Sequence, residues 1–211
     1  KLVIDNYPEG KTEYFEAEDN PEAEHTASHQ IPFGRELYIE REDFMEHPIK
    51  GYHRLYPGNE IRLKYAYYIT ATSMEKDKDG NITCVHCTYD PQSRGGATPD
   101  GRKIRGTSHW VAAKDAVDIE VRLYDKLFLT EYPGEKTGNY MDDLNPDSLK
   151  IVQAKGEPEV LKTKVGDYLQ FVRNGYFCVD SRDSNPSHMV FNRTVTLKDS
   201  WAKLKDKMQN S

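Results

Sequence analysis

The chain has 211 residues, 36% hydrophobic and 30% charged, a composition typical of a globular protein with one large or two small domains. No uninterrupted apolar stretch reaches the roughly 18 residues of a membrane-spanning helix, and the opening KLVIDNYPEG lacks the basic and apolar regions of a signal peptide. The net charge of −6 argues weakly against a nucleic-acid partner, but residues 1–30 carry all of it and residues 31–211 are neutral.

Short apolar alternations separated by glycine and proline predict a chain made of β-strands. In chain order, the predicted strands are 2–5, 37–41, 60–72, 82–89, 104–111, 117–128, 149–153, 159–162, 168–173 and 176–180. The stretches 8–32 and 130–147 are predicted to be irregular, and Thr196 to cap a single helix over 197–208. Strands of this spacing predict an all-β fold with barrels or sandwiches, short helical turns and a C-terminal helix.

The segment IRLKYAYYI, residues 61–69, raises the question of function. Ile61, Leu63 and the alternate residues that follow are apolar or aromatic, which predicts a strand with one face on a core. Arg62 and Lys64 occupy the other face, and residues 50–65 carry four cations against one carboxylate. Two cations on one strand face, about 6–7 Å apart, approach the spacing of phosphates in an extended nucleic-acid strand.

The familiar catalytic motifs are absent, including phosphate-binding glycine loops, GxSxG and HExxH. Cys84 and Cys87 form a lone CVHC that predicts two separate strand thiols, and His86 has no predicted metal partners. The acidic first thirty residues are interpreted as a solvated surface. We therefore expect no independent catalysis, no metal and no bound cofactor, and three cysteines favour a reducing, cytoplasmic compartment.

A second group of polar residues lies in YLQFVRNGYFCVDSR. Gln170 offers an amide for a base edge, Arg173 offers a fork for guanine or phosphate, and the neighbouring aromatic residues offer stacking surfaces. Arg102, Lys103 and Arg105 follow a predicted hairpin turn and are interpreted as solvated charges, with contact to a polyanion as the open alternative. These residues favour recognition of single-stranded RNA, with ordinary strand exteriors as the open alternative.

Longer strings give a specific resemblance. SHQIPFGRELYIEREDF, RLYPGNEIRLKYAYYI, CTYDPQ, DGRKIRGTSHWV, EVRLYDKLF, GYFCVDSRDS and FNRTVTLKDSWAK resemble the C-terminal half of glutaminyl-tRNA synthetase, in family order and over nearly the full chain. The resemblance implies two β-barrels of the ribosomal L25 type that bind the anticodon of tRNA(Gln). It also implies a monomer, with an N-terminal catalytic domain that uses ATP and Mg²⁺ and is missing here. The start without methionine agrees with a piece of a longer protein, inactive alone.

The resemblance also assigns the candidate contacts position by position. Arg62 and Lys64 correspond to the family's residues at the first anticodon base, with lysine where better-known members have arginine. Gln170 and Arg173 correspond to those near the middle base, uridine. At the third base, guanine, Arg54 corresponds to a family arginine, whereas His53 replaces a lysine and Gly51 a glutamine. Both replacements change the expected third-base pocket.

Three alternatives stay open. Related barrels occur in archaeal and eukaryotic glutamyl-tRNA synthetases, whose third anticodon base is cytosine, but an arginine at position 54 suits guanine better. An L25-like RNA-binding protein and a purely structural β module are the others. The predicted division is one barrel over 26–112 and another from 1–25 plus 113–211, because the first strand needs partners that the C-terminal strands are expected to supply.

Overall fold

The computed structural model describes residues 1–20 and 26–197, and it confirms an all-β protein with short helical turns. The strands are β1 Leu2–Ile4, β2 Glu13–Glu18, β3 Ser28–Phe33, β4 Glu36–Tyr38, β5 Glu60–Leu63, β6 Tyr68–Lys76, β7 Ile82–Asp90, β8 Thr107–Ser108, β9 Val111–Ala112, β10 Val117–Tyr124, β11 Leu149–Gly156, β12 Tyr168–Phe171, β13 Gly175–Val179 and β14 Met189–Thr196. The 3₁₀ turns are Arg41–Asp43, Pro91–Ser93, Tyr140–Asp143 and Pro158–Lys162. Among the described residues, no helix is long and apolar enough to cross a membrane.

The chain forms two compact units. The first comprises Lys1–Val117 with Lys155–Glu159, and the second comprises Asp118–Ala154 with the described residues from Val160 onward. The division differs from the predicted one at the N-terminus, because β1 pairs with β7 and β4 inside the first unit. The expectation that C-terminal strands supply the partners of β1 is therefore wrong. Apolar residues in β1 identify a buried strand but do not specify its neighbours.

A seven-stranded sheet of order β8-β5-β6-β7-β1-β4-β9 makes up most of the first unit. Its outermost strands, β8 and β9, are joined by only two residues, His109 and Trp110, so both edges must lie close together. The sheet consequently curls into a half-barrel, which shields edges that would otherwise stay unpaired.

The hairpin of β2 and β3 contributes to the core of this first unit. Phe15 and Phe33 from the hairpin contact Tyr67 and Trp110 edge to face or, for Phe33 with Tyr67, at a tilt, with ring centroids 5.0–6.5 Å apart. The prediction of an irregular segment over 8–32 is therefore wrong for much of its length. Its charged residues hide a period-two pattern, since the buried positions of β2 alternate with exposed glutamates.

The second unit contains a five-stranded sheet of order β11-β10-β14-β13-β12. Strand β14 runs parallel to β10 and antiparallel to β13. The sequence prediction did not include this strand, and its last residue, Thr196, was predicted to cap a helix. Phe177 and Phe191 are buried, and Phe171 stacks on Phe177 with ring centroids 4.4 Å apart. From residue 198 on, the predicted C-terminal helix lies outside the described residues.

Three predicted strands differ in detail. The strand over 60–72 is two strands, β5 and β6, joined by a tight reversal in which the Leu63 amide donates to the Tyr67 carbonyl at 2.8 Å. The stretch 104–111 holds only β8 and the first residue of β9. The segment 159–162 is part of a 3₁₀ turn. The apolar alternation of the sequence continues across the reversal, because Leu63 and Tyr67, on either side of it, both face the core.

Candidate nucleic-acid interface

The reversal between β5 and β6 positions the two cations predicted for the first base. Arg62 lies in β5 against Gly96, whereas Lys64 lies in the turn, with its ammonium 4.9 Å from the Tyr65 ring centroid. The prediction that Lys64 lies within the strand is therefore wrong, because it lies just beyond the end of β5. Within the described residues, neither side chain forms an ion pair with a carboxylate, so both positive charges stay available to an anion.

Arg54 has a different environment. Its Nη1 lies 3.2 Å from Oδ1 of Asp43, a carboxylate with no solvent exposure, and 3.4 Å from the Glu42 carbonyl, to which it donates. The other Asp43 oxygen accepts a hydrogen bond from the Ser108 hydroxyl at 2.6 Å. The guanidinium is thus held in one orientation by a buried anion. Its role is partly structural, which the sequence did not indicate.

His53 borders a half-open cavity of about 320 Å³. The cavity is lined by Tyr52, His53, Tyr56, Asn59, Glu60, Lys103, Ile104, Arg105 and Gly106. Lys103 and Arg105, interpreted from the sequence as solvated charges, therefore meet aromatic rings and a histidine in one concave surface. Cations beside aromatic rings in a cleft suit a phosphate and an unstacked base. The sequence signal was the basic run after Asp100-Gly101, whose partners are distant in sequence.

Glycine has a backbone role at two positions near His53. Gly51 has a φ of 88°, a left-handed conformation that favours glycine, and it closes the bend before Tyr52. A Cβ on Gly106 would lie 2.4 Å from the His53 carbonyl oxygen. Gly106, which lines the cavity, therefore allows its own backbone to pack directly against that of His53.

The second unit presents Gln170 and Arg173 on and beside one hairpin. Gln170 is exposed in β12, directly across from Tyr176 in β13, and Arg173 lies in the turn between the two strands. Tyr168 and Tyr176 are 74% and 43% exposed, which places two aromatic rings in solvent beside an amide. An exposed amide with flanking rings has the chemistry to hydrogen-bond and stack an unpaired base. The sequence predicted stacking surfaces among the aromatic residues of this segment, and the structure identifies the exposed ones as Tyr168 and Tyr176.

Two residues share an unusual backbone conformation. Among the described residues, Tyr65 and Arg173 are the only ones other than glycine with positive φ, at 67° and 70°. Both lie in the hairpin turns that hold predicted contacts, one in each unit. A left-handed conformation costs a non-glycine residue about 1–2 kcal/mol, and strain of this kind clusters at functional sites.

Two other arginines are paired with carboxylates of their own unit. Arg102 contacts Glu60, Asp90 and Asp100 at 2.6–2.9 Å, and these bonds raise the pKa of its guanidinium. Arg122 is similarly paired with Asp183 and Glu120 in the second unit. These arginines have structural roles. They contrast with Arg62 and Lys64, which have no comparable carboxylate partners within the described chain.

The acidic N-terminal segment is only partly a solvated surface. Glu13 in β2 accepts hydrogen bonds from the hydroxyls of Tyr7 at 2.6 Å and Tyr67 at 3.0 Å. Burial disfavours the charged carboxylate, but the bonds from the two tyrosines and Lys11 outweigh it and lower the pKa of Glu13. Burial, with the bond to Glu13, raises the pKa of Tyr67 to about 12. Glu13 thus links the hairpin to the sheet.

Comparison with known proteins supports an RNA-facing interpretation. Residues 1–90 and 107–180 match two families, each described as tRNA synthetases class I (E and Q), anti-codon binding domain. The chain is 50% identical over 204 residues to a glutamine–tRNA ligase of Clostridium kluyveri, covering 95% of this chain and 36% of the relative. It is 48% identical over 204 residues to the enzyme of that name from Nitrobacter hamburgensis, covering 97% and 36%. The chain thus spans about a third of the length of these relatives.

Proposed function

Since the chain belongs to the anticodon-binding domains of the class I tRNA synthetases (E and Q), we propose that it recognises the anticodon of tRNA(Gln) within a glutamine–tRNA ligase. The observation that supports this most is the identity of about 50%, over nearly the whole chain, to proteins of that name. Attachment of glutamine with ATP and Mg²⁺ then belongs to parts of the enzyme outside these 211 residues. The partners are the tRNA and the catalytic domain, in a cytoplasmic monomer.

Three groups of side chains each bind one base of the anticodon. Arg62 and Lys64 bind at the first base, where their charges have no carboxylate partners within the described residues. Gln170 and Arg173 bind the middle uridine beside the exposed tyrosines. This assignment rests on the family correspondence and on the chemistry of each side chain.

Arg54 and His53 bind the third base, guanine. Asp43 holds the guanidinium of Arg54 in one orientation, so the group is already oriented before the base binds. The cavity beside His53, with Lys103 and Arg105, offers a place for this nucleotide and its phosphate. His53 and Gly51 stand where the family has lysine and glutamine. We propose that Lys103 and Arg105 of the cavity replace the contacts that those two side chains would make.

The test compares two RNAs and two proteins. Binding of a tRNA(Gln) anticodon stem–loop is measured at two salt concentrations, with guanine or cytosine as the third base, for the natural chain and Arg54→Lys. Lysine keeps a positive charge against Asp43 but loses the fork, so folding is preserved better than in an alanine variant. We expect the natural chain to prefer guanine by about 1–3 kcal/mol and Arg54→Lys to lose that preference.

The other outcomes separate the alternatives. A preference for cytosine would identify a glutamyl-type domain. Salt-sensitive binding without base preference would indicate an L25-like protein that binds the RNA backbone. No binding at low salt, by a chain that circular dichroism shows to be folded, would leave a structural module.

A further inference from the structure

Outside the RNA-facing surfaces, three metal-binding side chains converge in the first unit. Cys84 and His86 are two residues apart in β7 and therefore project from the same face, and Glu75 of β6 lies directly across from Cys84. Their ligand atoms, a thiol sulfur, an imidazole nitrogen and a carboxylate oxygen, all lie within 4.8 Å of one another. The sequence analysis assigned no metal partners to His86, because it could not show that the β6–β7 pairing brings in Glu75 and that the strand period aligns Cys84.

The imidazole of His86 is oriented from both sides. Its Nε2 lies 3.1 Å from Glu75 Oε1, and its Nδ1 lies 2.9 Å from Asp5 Oδ1. Asp5 follows β1, the parallel neighbour of β7. In metal sites, a ligating histidine typically donates its other ring nitrogen to a carboxylate, which fixes the ring and makes the ligand more basic. Asp5 occupies that supporting position.

The thiol of Cys84 forms no strong hydrogen bond among the described residues. It is only 6% exposed, and its sulfur lies 4.0 Å from the Val85 carbonyl oxygen, too far for a strong hydrogen bond. It lies on the outer face of β7, whereas Cys87 lies in the core cluster. A network that served only to pair His86 with carboxylates would not need a sulfur at this position.

We propose that Cys84, His86 and Glu75 bind a Zn²⁺ ion, with Asp5 supporting His86 and water in a fourth position. Sulfur, imidazole and carboxylate together suit zinc, whereas calcium and magnesium prefer oxygen ligands alone. Binding releases the thiol proton and any proton held by His86, so affinity falls as the pH is lowered. The ion would link β6, β7 and, through Asp5, β1, at the middle of the seven-stranded sheet.

This inference does not depend on RNA binding and is tested without RNA. The 211-residue chain, freed of metal with a chelator, is titrated with Co²⁺, which reports a bound thiolate by a near-ultraviolet charge-transfer band. We expect one equivalent of Co²⁺ to produce the band in the natural chain and Zn²⁺ to displace it. Cys84→Ser should lose the band, whereas the matched control Cys178→Ser, which removes a half-buried thiol from the second unit, should keep it.

Two further measurements cover the case in which a cysteine variant folds poorly. Asp5→Asn, which leaves all three ligands in place, should weaken Zn²⁺ binding about 10–100-fold. In the natural chain, Zn²⁺ should protect Cys84 but not Cys178 from alkylation, as read by peptide mass spectrometry. The proposal is overturned if no charge-transfer band forms, if Cys84→Ser and Cys178→Ser titrate alike, or if Zn²⁺ leaves alkylation of Cys84 unchanged.

Discussion

The two units present their candidate RNA contacts on different kinds of support. In the first, Arg54 is bound to the fully buried Asp43, so the contact residue also belongs to the framework. In the second, Gln170 and Tyr176 face solvent on a hairpin whose core residues point the other way. From this difference we expect substitutions at Arg54 to change both stability and RNA binding, and substitutions at the second hairpin to change RNA binding alone. Four substitutions or conditions test this contrast.

The largest expected effect is on folding of the first unit. Asp43→Ala removes the buried partner of Arg54 and Ser108, and we expect the free energy of unfolding to fall by about 3 kcal/mol in urea denaturation. Glu42→Ala is the matched control, because that neighbouring carboxylate is 51% exposed and 3.9 Å from Arg54. Its cost should stay below about 1 kcal/mol. Equal costs for the two variants would refute the structural role of Asp43.

The next effect is on binding by the second unit. Tyr176→Ala should weaken binding of the anticodon stem–loop by about 1–3 kcal/mol, because a stacking surface beside Gln170 is lost. Unfolding should change little, since the ring is 43% exposed. Tyr124→Ala is the control: Tyr124 is 45% exposed, in β10 of the same sheet, and β14 separates that strand from β13. Fluorescence anisotropy measures both, and equal losses would contradict a specific stacking role.

A pair of neighbouring glycines tests Arg62 without changing it. Gly95 and Gly96 have φ of 80° and 86°, so alanine at either should cost about 1–2 kcal/mol of backbone strain. Only at position 96 would the new Cβ meet Arg62, 2.7 Å from its Cδ; at position 95 it meets nothing within 4 Å. We therefore expect similar melting temperatures but weaker RNA binding in Gly96→Ala alone. If both variants bind as the natural chain does, Arg62 does not contact the RNA.

The smallest effect concerns pH and the first unit. His29 contacts Asp19 at 2.6 Å and Glu157 at 3.1 Å, and Glu157 also lies 3.6 Å from His109. Burial lowers the pKa of His29, but the bonds to Asp19 and Glu157 outweigh it and raise the pKa above 6.5. Burial likewise opposes the charge of Glu157, yet its bonds to the two histidines lower its pKa below 4.5.

The pKa of His29 is raised and that of Glu157 is lowered, so the two residues together stabilise the folded unit within a limited range of pH. The stability from His29 is complete below its unfolded-state pKa and is lost as the pH rises through the folded-state value. The stability from Glu157 is present above its unfolded-state pKa and is lost as the pH falls through the folded-state value. Urea denaturation at pH 6 and pH 8 should show that His29→Gln removes up to about 1 kcal/mol at pH 6 and less at pH 8. A pH-independent difference would contradict the assignment.

Much of the fold could be predicted from local patterns. Period-two alternation found β5 with β6, β7, β10, β12 and β13, because a strand with one buried face repeats every two residues. The same rule failed for β2, whose exposed glutamates suggested a solvated loop, and for the 3₁₀ turn over 158–162, whose apolar residues suggested a strand. Short elements carry too few residues for the period to be decisive.

The sequence by itself determined the all-β class and the family, and it predicted which residues contact the anticodon. Only the tertiary structure decided that Lys64 lies in a turn, that Arg54 is held by Asp43, and that Glu75 joins Cys84 and His86. The physical reason is distance along the chain. Periodicity records which face of a strand is buried, whereas strand partners and ion pairs depend on contacts between residues that only folding brings together.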